Sequence, residues 1–181
     1  GALKLTRKAP GDMPGKKDLR EYCSPVEDQQ TIGSCTAHAA MGLLEYYERR
    51  AFGNHIDGSR RFLYKVTRNL LGWVGDTGAY IRSTMGAMVL LGVPPERYWP
   101  YNVAEFDVEP SAFVYSLGQS CQAISYYRLD PFGTTPSALL ARVKQYLNGG
   151  MPSMFGFTVY NSISQAGKKG MIPFPEQADK V

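Results

Sequence analysis

The segment EDQQTIGSCTA, residues 27–37, places a cysteine directly after Gly-Ser, where an apolar helical pattern begins. Apolar residues then recur every three or four positions, so a helix is predicted from Cys35 to about residue 50, with Ser34 as its N-cap. A side chain in the first turn of a helix lies beside unpaired backbone N–H groups and the positive end of the helix dipole. Both favour a thiolate, which is the nucleophilic form of cysteine.

The residues before Cys35 fit the needs of a nucleophile. Attack on a carbonyl generates an oxyanion, and this charge needs hydrogen-bond donors that are already in place. The backbone N–H of Cys35 is one candidate, and the side-chain amide of Gln29, brought round by the intervening turn, is the other. Gly33 lets a substrate backbone approach closely because it has no side chain, so Gly33 and Ser34 are predicted to line the substrate site. Taken alone, Cys35 is more often a buried, inert cysteine and Gln29 an ordinary loop residue, and it is their joint pattern that favours a nucleophile.

The bulk composition is that of a globular protein, with 181 residues, 44% hydrophobic and 20% charged. The net charge is +4, but Lys and Arg form no dense stripe with interleaved aromatic residues, so no nucleic-acid partner is expected. No apolar run approaches the ~20 residues of a membrane-spanning helix, so no membrane partner is expected either. The basic, Pro- and Gly-rich residues 1–17 are predicted to form an irregular arm before a single domain, residues 18–181. The chain starts at Gly1, which we interpret as a processed or engineered end, and the compartment cannot be read from it.

The cysteines and histidines give no metal-binding pattern. Cys23, Cys35 and Cys121 are not at metal-ligand spacing, and the histidines are His38 and His55. No cofactor is therefore expected. A disulfide between Cys23 and Cys121 and three free thiols both remain open.

The order of predicted elements indicates an α+β fold. A short extended segment is expected at residues 18–22 and a loop at 164–175. Helices are expected at residues 59–71, 79–91 and 136–147, and strands at 121–129 and 151–160. Because helices come first and strands later, the elements are expected to segregate into two lobes, about residues 18–110 and 111–181.

Residues 25–29, PVEDQ, followed by Gly33-Ser34-Cys35, closely resemble the nucleophile region of papain-like (C1 family) cysteine peptidases. The chain resembles the prokaryotic branch of that family over roughly residues 18–181. The further segments that carry the resemblance are 18–20 (DLR), 62–64 (FLY), 76–82 (DTGAYIR), 99–101 (WPY) and 170–172 (GMI).

The resemblance implies a fold and a set of roles. Cys35 would be the nucleophile, Gln29 the oxyanion-hole amide, and Gly78 the glycine whose backbone pairs with an extended peptide substrate. The nucleophile helix would lie in a helical left lobe, facing a β-barrel-like right lobe across a cleft, and residues 111–181 would be only the first part of that right lobe. Phe155 and Phe157 would either wall an apolar pocket in the right lobe or belong to its core. A secreted or periplasmic location is favoured by the resemblance alone.

Two positions depart from the family pattern near the nucleophile. Ile32 stands where the family usually has a disulfide-bonded cysteine, and Thr36 replaces an aromatic residue. The usual disulfide is therefore excluded.

The base histidine is the larger departure. In the family it follows the cysteine by about 130–150 residues, together with an asparagine. Counted from Cys35 this is about residues 165–185, and no histidine occurs from 165 to 181. His38, three positions after Cys35, and His55, in a loop, fit the role poorly.

Residues 171–181 resemble the approach to the histidine strand, so the histidine and asparagine are expected beyond residue 181 or in a second chain. The expected activity is hydrolysis of a peptide or protein through an acyl-thioester. A catalytically inactive relative that binds a peptide or a partner is the alternative, and acyl transfer through the same intermediate also remains open.

Overall fold

A computed structural model describes residues 13–123 and 125–181, so the arm up to residue 12 and Ile124 of the first predicted strand lie outside it. The described part contains helices α1 (Cys35–Phe52), α2 (Arg60–Leu71), α3 (Ile81–Leu90), α4 (Ala112–Gly118), α5 (Pro136–Asn148) and α6 (Ala166–Lys169). Short 3₁₀ turns occupy Arg20–Tyr22, Glu96–Tyr98, Val103–Glu105 and Asn161–Gln165. None of the described helices is both long enough and apolar enough to cross a membrane.

The helix boundaries follow local sequence signals. Helix α1 begins at Cys35, as predicted, and ends where Gly53 takes a left-handed conformation with φ 77°. Helix α2 follows Ser59, whose hydroxyl accepts a hydrogen bond from the backbone N–H of Phe62 at 3.1 Å. Helix α4 and the 3₁₀ turn Arg20–Tyr22 were not predicted, and α6 lies inside the predicted loop at 164–175.

The core lies where α2 packs against α1 and α3. Its fully buried side chains are Ala37, Ala40, Met41, Phe62, Leu63, Tyr64, Val66 and Ala87. The turn before α2 approaches α1 so closely that a Cβ atom on Gly58 would lie 2.2 Å from the terminal methyl carbon of Met41. This packing fixes the start of α1, and with it Cys35, relative to the other two helices.

Buried basic residues on α2 hold the chain segment that follows α3. Arg68 is fully buried and donates to Asp107 at 2.7 Å while its guanidinium lies 4.2 Å from the centre of the Tyr64 ring. The guanidinium of Arg61 lies 4.3 Å from the centre of the Trp99 ring. A buried charge is costly unless it is paired. Losing these contacts would leave the arginine charges unpaired, so the contacts hold residues 99–107 against α2.

The predicted strands were wrong. Over the described residues the backbone forms one isolated β-bridge, between Gly58 and Pro95, and residues 121–129 and 151–160 form no ladder. The alternating pattern of 151–160 is present, but the described residues place no second strand beside it, and a strand needs a hydrogen-bonded neighbour. The β-barrel-like lobe is therefore not seen, and Phe155 and Phe157, 75% and 50% exposed, are not core residues here.

Residues 149–152 are fastened to the second half of α1. The hydroxyl of Tyr46 donates to the carbonyl of Gly150 at 2.9 Å, and that of Tyr47 donates to the carbonyl of Pro152 at 3.0 Å. Arg50 donates to the carbonyl of Gly149 at 3.1 Å. These bonds attach the chain after α5 to the helix that carries Cys35.

Candidate active site

Cys35 is the first residue of the 18-residue helix α1, and its side chain is exposed. No acidic residue lies in the first turn of this helix. The positive end of the helix dipole is therefore not offset by a carboxylate of its own turn, and it attracts negative charge at this position. The residue is exposed, so Cys35 is not buried as the alternative interpretation required.

Gln29 is half-buried at the start of the turn that leads to Cys35. Its side-chain Nε2 donates to the carbonyl of Ile32 at 3.0 Å, and its backbone carbonyl accepts from the Tyr101 hydroxyl at 2.8 Å. An amide nitrogen carries two hydrogens. One hydrogen holds the side chain against the turn, and the other has no acceptor among the described residues.

Gly33 and Gly78, predicted as substrate-site glycines, lie side by side. A Cβ atom on Gly33 would lie 3.3 Å from the Cα atom of Gly78, which itself has a positive φ of 72°. The N–H of Gly33 donates to Asp76 at 2.8 Å, and the hydroxyl of Tyr64 donates to the same carboxylate oxygen at 2.5 Å. The Gly78 N–H donates to Tyr64 at 3.1 Å. Asp76 and Tyr64 therefore hold the two glycines together.

Ser34 differs from its predicted role as an N-cap. It occupies the N-cap position, but its hydroxyl forms no capping hydrogen bond. The side chain is fully buried and lies 2.7 Å from the Tyr101 hydroxyl and 3.2 Å from Nδ1 of His38. Because the whole residue is buried, neither the side chain nor the backbone of Ser34 is exposed to a substrate in this structure, unlike the predicted lining role.

Neither histidine is joined to Cys35. The Nδ1 atom of His38 lies 3.1 Å from the carbonyl of Ser34, and its ring meets Tyr101 edge-on at 5.0 Å. Burial lowers the pKa of His38. His55 lies in the loop between α1 and α2. Across residues 13–123 and 125–181, no hydrogen bond or ion pair connects either ring to the thiol.

The remaining cysteines carry no second site. Cys23 is exposed, Cys121 is half-buried, and both are free thiols, so the structure shows no disulfide between them. Burial raises the pKa of Cys121. No group of His, Cys, Asp and Glu suitable for a metal occurs among the residues described.

Tyr101, Asp76 and Tyr64 are the residues whose roles the sequence did not reveal. All three belong to segments that carry the resemblance, but no local spacing links them to the nucleophile. A Trp-Pro-Tyr run signals a constrained turn, yet it does not show where the phenol points.

Comparisons with known proteins identify the class to which this site belongs. No protein-family model matches the chain. A curated relative, an uncharacterized peptidase C1-like protein of Acanthamoeba polyphaga mimivirus, is 30% identical over 94% of the chain and 58% of its own length.

Solved structures agree with that relative. Xylellain, a cysteine protease from Xylella fastidiosa, is 31% identical over 94% of the chain and 66% of its own, with a TM-score of 0.77. A digestive procathepsin L of Tenebrio molitor, 22% identical with a TM-score of 0.58 over 78% of the chain and 43% of its own, shares the fold. The chain thus belongs to the papain-like (C1) cysteine peptidase family. It spans 58% of the viral relative and 66% of xylellain.

Proposed function

We propose that the chain carries the nucleophile half of a papain-like cysteine peptidase site. The observation that carries the proposal is an exposed Cys35 at the start of α1, directly after the turn that presents the Gln29 amide and sets Gly33 against Gly78. The names of the viral relative and of xylellain support a peptidase and do not favour an inactive binding module.

Substrate binding in this proposal is by backbone. An extended peptide pairs with the backbone of Gly78, and Gly33 leaves room for the chain near the thiol. The two glycines cannot drift apart, because Asp76 and Tyr64 bridge them. Positioning of this kind brings the scissile carbonyl carbon to the sulfur of Cys35.

The reaction then proceeds in two stages. The sulfur of Cys35 bonds to the carbonyl carbon, and the oxyanion accepts hydrogen bonds from the backbone N–H of Cys35 and the free Nε2–H of Gln29. A base takes the thiol proton and returns it to the leaving amine, so a thioester forms as the peptide bond breaks. Water then attacks the thioester, the acid product leaves, and the thiol is restored.

We propose that the base is a histidine outside this 181-residue sequence, with an orienting asparagine, in the same protein or in a second chain. The bonding of His38 to Ser34 and Tyr101 supports this. The relatives also contain residues beyond the part that this chain matches. The strands of a right lobe and the peptide or protein substrate belong to the same proposal.

Peptide hydrolysis by the full-length protein tests the proposal. Cys35→Ser should lower kcat by about 10⁴-fold or more, since it removes the nucleophile. Gln29→Ala should lower kcat by about 10²–10³-fold, the usual effect of losing one oxyanion donor. Gln30→Ala, in the same turn, is the matched control and should leave kcat within about twofold. Equal rates for the Cys35→Ser variant and the unaltered protein would refute the assignment.

A further inference from the structure

We propose that Tyr101 is a positioning residue for the oxyanion site, holding the turn of residues 29–34 so that the Gln29 amide keeps its place in the turn that leads to Cys35. This inference rests on the proposed function. The Tyr101 side chain contacts this turn although it lies 67 positions after Ser34 in the sequence.

The Tyr101 hydroxyl contacts both ends of the turn. It donates to the backbone carbonyl of Gln29 at 2.8 Å and lies 2.7 Å from the hydroxyl of Ser34. Gln29 and Ser34 are five residues apart, and Cys35 follows immediately. One phenol oxygen therefore sets the span between the oxyanion amide and the start of α1.

The hydrogen bonds have one consistent direction. The single proton of Tyr101 goes to Gln29, so at Ser34 the phenol oxygen accepts, and the Ser34 hydroxyl donates. The backbone carbonyl of Ser34 lies 3.1 Å from Nδ1 of His38 and can only accept, so Nδ1 carries the ring proton, which it shares with the Ser34 hydroxyl oxygen at 3.2 Å. Burial raises the pKa of Tyr101, so the phenol stays protonated, and burial lowers the pKa of His38, which favours the neutral ring.

Tyr101 is itself held rigidly. Its backbone N–H donates to the Glu96 carboxylate, and the neighbouring carbonyl of Trp99 accepts from the Ser59 hydroxyl at 2.6 Å. The Arg61 guanidinium stacks on the Trp99 ring. The fixed position of Tyr101 matters because a displacement of about 1 Å in a catalytic group can lower the rate by about 10²-fold.

Bulk water cannot take the place of the Tyr101 hydroxyl as a partner of Ser34. The Ser34 side chain is fully buried, so no bulk water reaches its hydroxyl. Removing the Tyr101 hydroxyl would leave the Ser34 donor unsatisfied and the Gln29 carbonyl without this partner. The turn would then gain freedom at the two points that define the oxyanion site.

The test is Tyr101→Phe in the full-length protein, with Tyr47→Phe as the matched control. Tyr47 also donates a phenolic hydrogen bond to a backbone carbonyl, but it lies twelve positions beyond Cys35 on α1, about 18 Å along the helix. With rates normalised to titrated thiol, Tyr101→Phe should lower kcat by roughly 10- to 100-fold with KM within about twofold. Tyr47→Phe should leave both unchanged.

Two further measurements separate positioning from a general loss of structure. Alkylation of Cys35 by iodoacetamide needs no oxyanion, so its rate should change by less than about threefold in Tyr101→Phe. Amide hydrogen exchange in residues 29–34 should become at least about tenfold faster in that variant and not in Tyr47→Phe. Unchanged kcat, or unchanged exchange in the turn, would overturn the inference.

The outcome also stays distinct from that of the proposed function. If the unaltered protein hydrolyses no peptide, the proposed function fails, and hydrogen exchange alone then decides whether Tyr101 holds the turn. If Tyr101→Phe does not fold, Ser34→Ala removes one of the two phenol contacts and should lower kcat by roughly threefold. No change in kcat or in exchange for that variant would overturn the inference.

Discussion

Residues 32–114 contain every buried hydrophobic side chain of the described chain except Met151, whereas residues 125–181 expose Phe155, Val159 and Phe174. Helix α5 has 13 residues and none of them is buried. It forms on local signals, namely the Thr135 cap and Pro136 in the first turn. The core thus stabilises residues 32–114, whereas residues 125–181 depend on local structure, on hydrogen bonds to α1 and on the packing of Met154 against that core.

The largest expected difference between the regions is in the effect of deleting a phenyl ring. Phe62 is fully buried and meets Tyr115 at 5.3 Å, so Phe62→Ala should lower the free energy of unfolding by about 3–5 kcal/mol. Phe155 is 75% exposed, so Phe155→Ala should change it by less than about 0.5 kcal/mol. Urea denaturation of the 181-residue chain measures both.

The same pair of variants sharpens the comparison in a longer protein. If further residues of a longer protein cover the 151–160 segment, Phe155→Ala should lower the free energy of unfolding of that protein by more than about 1 kcal/mol. If Phe155→Ala leaves the free energy of unfolding unchanged in both proteins, the 151–160 segment stays uncovered in the longer protein as well. Equal costs for Phe62→Ala and Phe155→Ala in the short chain would break the distinction between the regions.

The bridge between the two glycines should give the next largest effect. Asp76→Ala removes the acceptor shared by Gly33 and Tyr64, so the free energy of unfolding should fall by about 1–2 kcal/mol. Amide exchange at Gly33 and Gly78 should accelerate, as hydrogen-exchange mass spectrometry can measure. Asp130→Ala, at an exposed carboxylate paired with Arg128, is the control and should change neither quantity measurably. Slow exchange at both glycines in Asp76→Ala would contradict the bridging role.

The attachment of the second region to α1 should give a smaller and local effect. Arg50→Ala removes the donors to the carbonyls of Gly149 and Gly150 and should cost about 1 kcal/mol. Exchange should quicken in residues 149–152 but not in the core of α2. Arg49→Ala is the matched control, because the Arg49 side chain has no hydrogen bond or ion pair to the residues described. If amide exchange in residues 149–152 is the same in Arg50→Ala and Arg49→Ala, Arg50 does not attach this segment to α1.

The smallest predicted effect is on pH dependence. Because burial lowers the pKa of His38 in the folded state, the unfolded state binds more protons once the pH falls below about 6.5. Stability from this group is therefore complete above about pH 6.5 and declines as the pH falls toward the lowered pKa. Urea midpoints at about pH 7 and 5.5 should show a drop that is smaller in His38→Gln than in the unaltered protein. An equal drop in His38→Gln would assign the effect to other groups.

The sequence predicts what is local and misses what is distant. The start of α1 at Cys35 and the helices predicted at residues 59–71 and 136–147 rest on signals within a few residues, and the structure places these helices as expected, although Ser34 forms no capping bond. The bonds from Gly33 to Asp76 and from Ser34 to Tyr101 join residues 43 and 67 positions apart, and no periodicity encodes such pairs.

The predicted strands fail for a related reason. Phe155, Phe157 and Val159 alternate as strand residues do, but a pattern shows only which face is apolar. Whether a ladder forms depends on a second strand, and none lies beside this segment in the part of the chain that is described. The same alternation therefore appears here as an exposed, extended segment.

The most direct test of Cys35 as the nucleophile is labelling of the full-length protein with an epoxysuccinyl probe at about pH 5.5, followed by peptide mass spectrometry. At that pH an ordinary thiol, with a pKa of about 8.5, is protonated and unreactive. The exposed Cys23 and the half-buried Cys121 serve as internal controls. We predict that Cys35 alone is labelled. If Cys35 stays unlabelled while the denatured protein reacts at higher pH, the thiol is not an activated nucleophile and the central claim is contradicted.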